Sequence, residues 1–133
     1  MALVVDASVA IGWLLPAQAT SYTRHVLERV KREQIVVPVL WSIEVVNVLL
    51  VRRRRGALSA TQADALLHRL ERLKIAVDSY PLSSAVIFAL GEEHGLSSYD
   101  ATYLELAQRR GLPLATRDTL LQRAARAAGV TLV

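Results

Sequence analysis

Four acidic residues stand where acids are costly. Asp6 closes the apolar run Leu3-Val4-Val5, is followed two residues on by Ser8, and then by more apolar chain from Val9 to Leu15. Glu44 lies in VPVLWSIEVVNVLLV, a helical pattern apolar almost all round, in which Leu40, Glu44, Asn47 and Val51 share one face. Asp100, in GLSSYDATYLELA, falls in the first turn of a helix capped by Ser98 and shares its face with Leu104 and Ala107. Asp118, in LPLATRDTLL, follows a strand and precedes a helix, beside Thr116 and Arg117. An unpaired buried carboxylate either costs several kcal/mol or shifts its pKa until it is neutral. Each acid has an ordinary structural reading: an arginine partner for Glu44, the helix dipole for Asp100, an N-cap for Asp118. Those readings do not predict that Asp6, Asp100 and Asp118 all sit at strand ends or helix N-termini. In open α/β sheets, ligands bind at that edge, beyond the carboxyl ends of the strands.

If the four acids converge, they take four of the twelve Asp and Glu and leave sixteen Lys and Arg against eight acids elsewhere. Crowded carboxylates repel unless cations or protons intervene. Zero cysteines exclude thiolate catalysis, disulfides and Cys-based zinc sites, and the scattered His25, His68 and His94 make no metal-ligand spacing. An oxygen-only cluster suits Mg²⁺ or Mn²⁺, and a basic surround suits a phosphodiester backbone. Such ions activate water and neutralise charge developing at phosphorus. Neither a G-x-x-x-x-G-K-[ST] loop nor G-x-G-x-x-G is present, which argues against a nucleotide cofactor.

The elements that must position these acids follow from the apolar pattern. Strand-length runs at 2–6, 35–37, 75–77, 112–116 and 130–133 alternate with helical patterns at roughly 21–33, 39–55, 60–73, 83–93, 99–110 and 119–128. This predicts an α/β fold, a central and mainly parallel sheet of about five strands flanked by helices. Ser59 with Gln62 makes a capping box, and Gly95, Gly111 and Gly129 follow helices as terminators. At 133 residues and 53% hydrophobic composition, one domain spanning 1–133 is expected. The net charge of +4 and pI of about 10.0 favour a polyanionic partner, although the run Arg52 to Arg55 is also explained as the end of a helix before Gly56. No apolar run is long enough to cross a bilayer and no secretory leader is apparent, so no membrane role and a cytoplasmic location are expected. The stripe Ala63, Leu66, Leu67, Leu70 and Leu73 reads first as core packing, with a subunit or partner surface as the alternative; together with the apolar helix around Trp41 it exceeds what one small sheet covers, which predicts both a second copy and a bound partner.

Taken together, these residues resemble the PIN-domain family, specifically the small VapC-type toxins of bacterial toxin–antitoxin pairs. The likeness spans nearly the whole chain. The family's apolar-apolar-DAS is similar to Val4-Val5-Asp6-Ala7-Ser8, its helical E-x-x-N-x-L to the stretch from Glu44 through Asn47 to Leu49, its YDA-x-Y-x-x-LA to Tyr99 through Ala107, and its T-x-D to Thr116-Arg117-Asp118. The resemblance implies an Mg²⁺- or Mn²⁺-dependent endoribonuclease with Asp6, Glu44, Asp100 and Asp118 as its acidic quartet. By the same match Ser8 and Thr116 would support the metal-water shell and Asn47 would orient Glu44. It further implies an RNA substrate, a cognate VapB-like antitoxin whose tail lies across the active-site groove, and a homodimer. One departure falls in the first loop, where PAQATS carries no acid although many relatives have one there.

Two rival readings keep the fold. A PIN-like module could bind RNA or protein without cutting, but a complete acidic quartet argues against it. A phosphoaspartyl enzyme also uses an Asp at a strand end. Here the residue two after Asp6 is Ser8 and not a second aspartate, and no lysine follows a late strand.

Overall fold

The computed structural model describes residues 1–133. Four strands, β1 (Ala2–Val5), β2 (Gln34–Pro38), β3 (Ile75–Asp78) and β4 (Leu114–Ala115), pair side by side in the order β3-β2-β1-β4, all parallel. The central pair is covered on both faces, and Leu3, Val4, Val5 and Ile35 through Val37 are buried. That is why these strands read as continuous apolar runs and do not alternate. The register sets Val4 beside both Val36 and Leu114, and Val5 beside Ala115.

The fifth expected strand, 130–133, contracts to one bridge between Leu114 and Leu132. Its backbone still pairs, Leu114 N–H donating to Thr131 C=O at 2.9 Å and Val133 N–H to Leu114 C=O at 3.0 Å. The ladder cannot lengthen because β4 is two residues long, preceded by Pro113 and followed by Thr116, whose side chain turns into the site described below.

Helices fill the connections. The helices α1 (Ala7–Leu14), α2 (Ser21–Val30), α3 (Leu40–Arg54), α4 (Ala60–Glu71), α5 (Ser84–His94), α6 (Ser98–Arg110) and α7 (Thr119–Ala127) occur in that order, with a 3₁₀ turn at Pro16–Gln18. The stretch read only as apolar chain after Asp6 is therefore a helix. Six of the eight residues of α1 are buried, so it shows no polar face and no 3.6-residue period for a sequence reading to find. The Ser59–Gln62 capping box forms as expected. The cap of α6 is Ser97, one residue earlier than expected, and its hydroxyl accepts from the Asp100 N–H at 3.1 Å.

The α4 stripe packs inward, as its core reading expects. On α4, Leu70 is buried and Ala63, Leu66 and Leu67 are half-buried, while Trp41 of α3 is buried too. The exposed apolar side chains include Ile43, Val46 and Leu50 of α3, Val86 and Phe88 of α5, and Tyr80 and Leu82 between β3 and α5. No helix is long and apolar enough to cross a membrane.

Candidate active site

Parallel pairing delivers the ends of β1 and β4 to the same sheet edge, side by side. Asp6 follows β1 and Thr116 follows β4, and the Asp6 N–H continues the ladder by donating to the Ala115 carbonyl at 2.9 Å. The Thr116 hydroxyl then donates to Asp6 Oδ2 at 2.7 Å, and Ser8 Oγ donates to the same oxygen at 2.9 Å. Both hydroxyls also accept: Thr116 Oγ1 from the Asp118 N–H at 3.1 Å, and Ser8 Oγ from the Arg117 N–H at 3.3 Å. Two hydroxyls thereby lock the strand ends, the start of α1 and the Thr116–Asp118 turn into one unit.

Asp118 caps α7, its Oδ1 accepting from the Leu121 N–H at 2.9 Å. The ordinary structural reading of this residue is thus correct, and it occupies only one carboxylate oxygen. Asp100 stands half-buried in the first turn of α6. Glu44, in the second turn of α3, accepts a hydrogen bond at 2.6 Å on Oε1 from the hydroxyl of Tyr103. Asn47 is exposed and makes no hydrogen bond with Glu44. Tyr103 holds Glu44 instead, and the motif match did not assign it a role. A signal was present: Tyr103 lies on the Asp100–Leu104–Ala107 stripe, and a buried tyrosine hydroxyl needs a partner.

The protein hydrogen bonds to Asp6, Glu44 and Asp118 fall on one oxygen of each, Oδ2, Oε1 and Oδ1 respectively, leaving the second oxygen without a protein donor. None of the four acids takes part in an ion pair; the arginine pairs lie elsewhere, as between Arg109 and Asp78 at 2.8 Å. Arg117, the basic residue between Thr116 and Asp118, points its guanidinium to the Gln18 carbonyl at 2.7 Å.

Uncompensated charge in a partly dry site shows in the titration of these groups. Burial pushes the Asp6 carboxyl up, against the Thr116 and Ser8 hydrogen bonds that favour its charged form. Burial also raises Glu44, with the negative charge of Asp6 adding to it and the Tyr103 hydrogen bond opposing. Asp100 is pushed up to about 6, first by desolvation and then by the charges of Asp6, Asp118 and Glu44. All four acids therefore share one electrostatic neighbourhood. No three carboxylates, as placed, stand close enough together to hold a single ion, a spread that repulsion between like charges favours. Chemically, an oxygen-only set of this kind is complementary to a hard divalent cation.

The sequence matches the PIN domain over residues 3–127. The chain belongs to the PIN-domain family. It is similar to Ribonuclease VapC3 of Mycobacterium tuberculosis, 34% identical over 122 residues that cover 92% of this chain and 86% of the relative. It is also similar to Ribonuclease VapC3 of Pyrobaculum aerophilum, 33% identical over 123 residues, 91% and 92% of the two chains. Among solved structures, this PIN domain superposes on PAE2754 from Pyrobaculum aerophilum with a TM-score of 0.70 at 28% identity, covering 93% of this chain and 79% of that one. FitAcB from Neisseria gonorrhoeae shares the fold, with a TM-score of 0.66 at 22% identity over 99% and 96% of the two chains.

Proposed function

We propose that this PIN domain is a metal-dependent endoribonuclease that hydrolyses RNA phosphodiester bonds, the toxin of a VapBC-type toxin–antitoxin pair acting in the cytoplasm. The observation that carries the reading is the set of four carboxylates at the strand C-terminal edge, the charges of the other three felt by Asp100 and none of the four paired with a cation of the protein. Asp6, Glu44, Asp100 and Asp118 would hold Mg²⁺ or Mn²⁺, which when bound supplies water activation and charge neutralisation at phosphorus. The donor set fits such an ion, since it offers carboxylate oxygens with uncommitted lone pairs and no imidazole or thiolate. Ser8 and Thr116 hold Asp6 in place by donating two hydrogen bonds that favour its charged form, the form in which it would bind the ion. Asp118 is fixed by the Leu121 N–H that it caps, and Asp100 is carried by the first turn of α6.

Likeness to the VapC3 ribonucleases supports RNA as the substrate and a VapB-like antitoxin as the partner. The excess of sixteen Lys and Arg over twelve acids favours a polyanion around this acidic site. The exposed apolar faces of α3 and α5 support self-association as a homodimer. Incubating labelled RNA with the purified protein tests the activity. Internal cleavage with Mn²⁺ or Mg²⁺ that stops in excess EDTA is expected, and full cleavage in EDTA would refute the metal mechanism.

A further inference from the structure

The hydrogen bond between Tyr103 and Glu44 joins residues 59 positions apart, on α6 and α3. Tyr103 is 0% exposed and belongs to the hydrophobic core. Glu44 is half-buried and has no other protein donor. Its side chain carries three rotatable bonds; left free, the carboxylate would swing toward water and away from the other acids, which carry the same charge. The phenol holds Oε1 and leaves Oε2 uncommitted.

We infer that Tyr103 is a positioning residue which fixes the Glu44 carboxylate at the acidic site and so sets how tightly that site takes up a divalent cation, an inference that rests on the metal-dependent reading above. The chemistry of the tether matters. An Arg or Lys in its place would neutralise Glu44 and compete with the cation, whereas a phenol restrains the carboxylate without cancelling its charge. One helix, α6, thereby carries both Asp100 and the group that orients Glu44, three residues apart on the same stripe.

Mn²⁺ titration by calorimetry, without RNA, on wild type, Tyr103→Phe, Glu44→Gln and the double variant tests this. Tyr103→Phe keeps the ring and removes only the hydroxyl. It should weaken Mn²⁺ binding roughly 10-fold, the usual loss for a group that orients a metal ligand. The KM for RNA should be unchanged, and kcat should fall at limiting Mn²⁺ and recover when Mn²⁺ is raised. In the Glu44→Gln background, adding Tyr103→Phe should cost no further affinity. Wild-type Mn²⁺ affinity in Tyr103→Phe overturns the inference, and so does an undiminished 10-fold loss in the Glu44→Gln background, because the phenol would then act through something other than Glu44. A wild type that takes up no Mn²⁺ overturns the metal reading and this inference together, while wild-type uptake with an indifferent Tyr103→Phe overturns the inference alone.

Discussion

Asp6 shows how one residue reconciles burial with charge. Its carboxylate is 5% exposed as a residue and has no cationic partner, yet two hydroxyls and the end of a strand hold it in place. Replacing it with Asn preserves the shape, and the amide oxygen can accept from both Ser8 and Thr116. The substitution removes a charge that burial already disfavours. Asp6→Asn in EDTA is therefore expected to melt at or slightly above the wild-type temperature. Ribonuclease activity should fall by more than the roughly 10- to 100-fold that loss of a supporting residue costs. Wild type should gain thermal stability with Mn²⁺, as any ligand of the folded state confers, and the variant should lose most of that gain. A variant that melts lower by the equivalent of about 1 to 3 kcal/mol and is as metal-indifferent as wild type would mean that Asp6 is a broken structural contact and not a cation ligand.

At the scale of elements, the two helices with unpartnered apolar faces carry the proposed dimer. α5 has no buried residue, and Phe88 is 69% exposed; Ile43 on α3 is 67% exposed. Faces of that kind are expensive to leave in water. Phe88→Glu should turn a dimer into a monomer in sedimentation at micromolar concentration without lowering the helical signal, and a wild type that already sediments as a monomer would remove the proposal. The sequence pointed to the α4 stripe and to the helix around Trp41, and of the two only the latter, α3, has an exposed apolar face. The α4 stripe packs on the core, a tertiary fact that periodicity alone does not contain. Likewise the alternation of strands and helices was readable from composition changes and caps, but α1 was not, because an all-round apolar helix of eight residues has the same pattern as a buried strand. Gly12 of α1 explains how closely that helix packs: a Cβ there would come within 2.5 Å of Thr23 Cγ2 on α2, whose backbone carbonyl accepts from the Trp13 indole at 2.8 Å. Of the site, the acids were legible because charges in apolar runs demand an explanation. Tyr103 was legible only as a tyrosine on the inward stripe in need of a partner; that the partner is Glu44 was not, since nothing in the sequence says that α6 and α3 face each other at that level.

For the molecule as a whole, the acidic cluster should give stability an inverted dependence on pH in the metal-free state. Asp100 titrates at about 6 in the fold against 3.8 ordinarily, and Asp6 and Glu44 shift the same way. Between those pH values the folded chain holds protons that the unfolded chain has released, so stability falls as pH rises through the window. Asp78 opposes this. The guanidinium of Arg109 holds its carboxyl below the usual range, so its contribution is present above the ordinary value and is lost as pH falls through the depressed one. The metal-free protein should therefore be more stable at pH 5 than at pH 7. For a half-exposed group such as Asp100 the gain, after solvent screening, is on the order of 1 kcal/mol, or a few degrees in Tm. Mn²⁺ should reverse the order, because only deprotonated carboxylates bind it, and its stabilisation grows with pH. Melting curves at pH 5 and pH 7, each with EDTA and with Mn²⁺, decide the matter. A Tm in EDTA that drops from pH 7 to pH 5 would show that the four carboxylates are compensated individually in solution, and the case for a shared cation would lose its electrostatic basis.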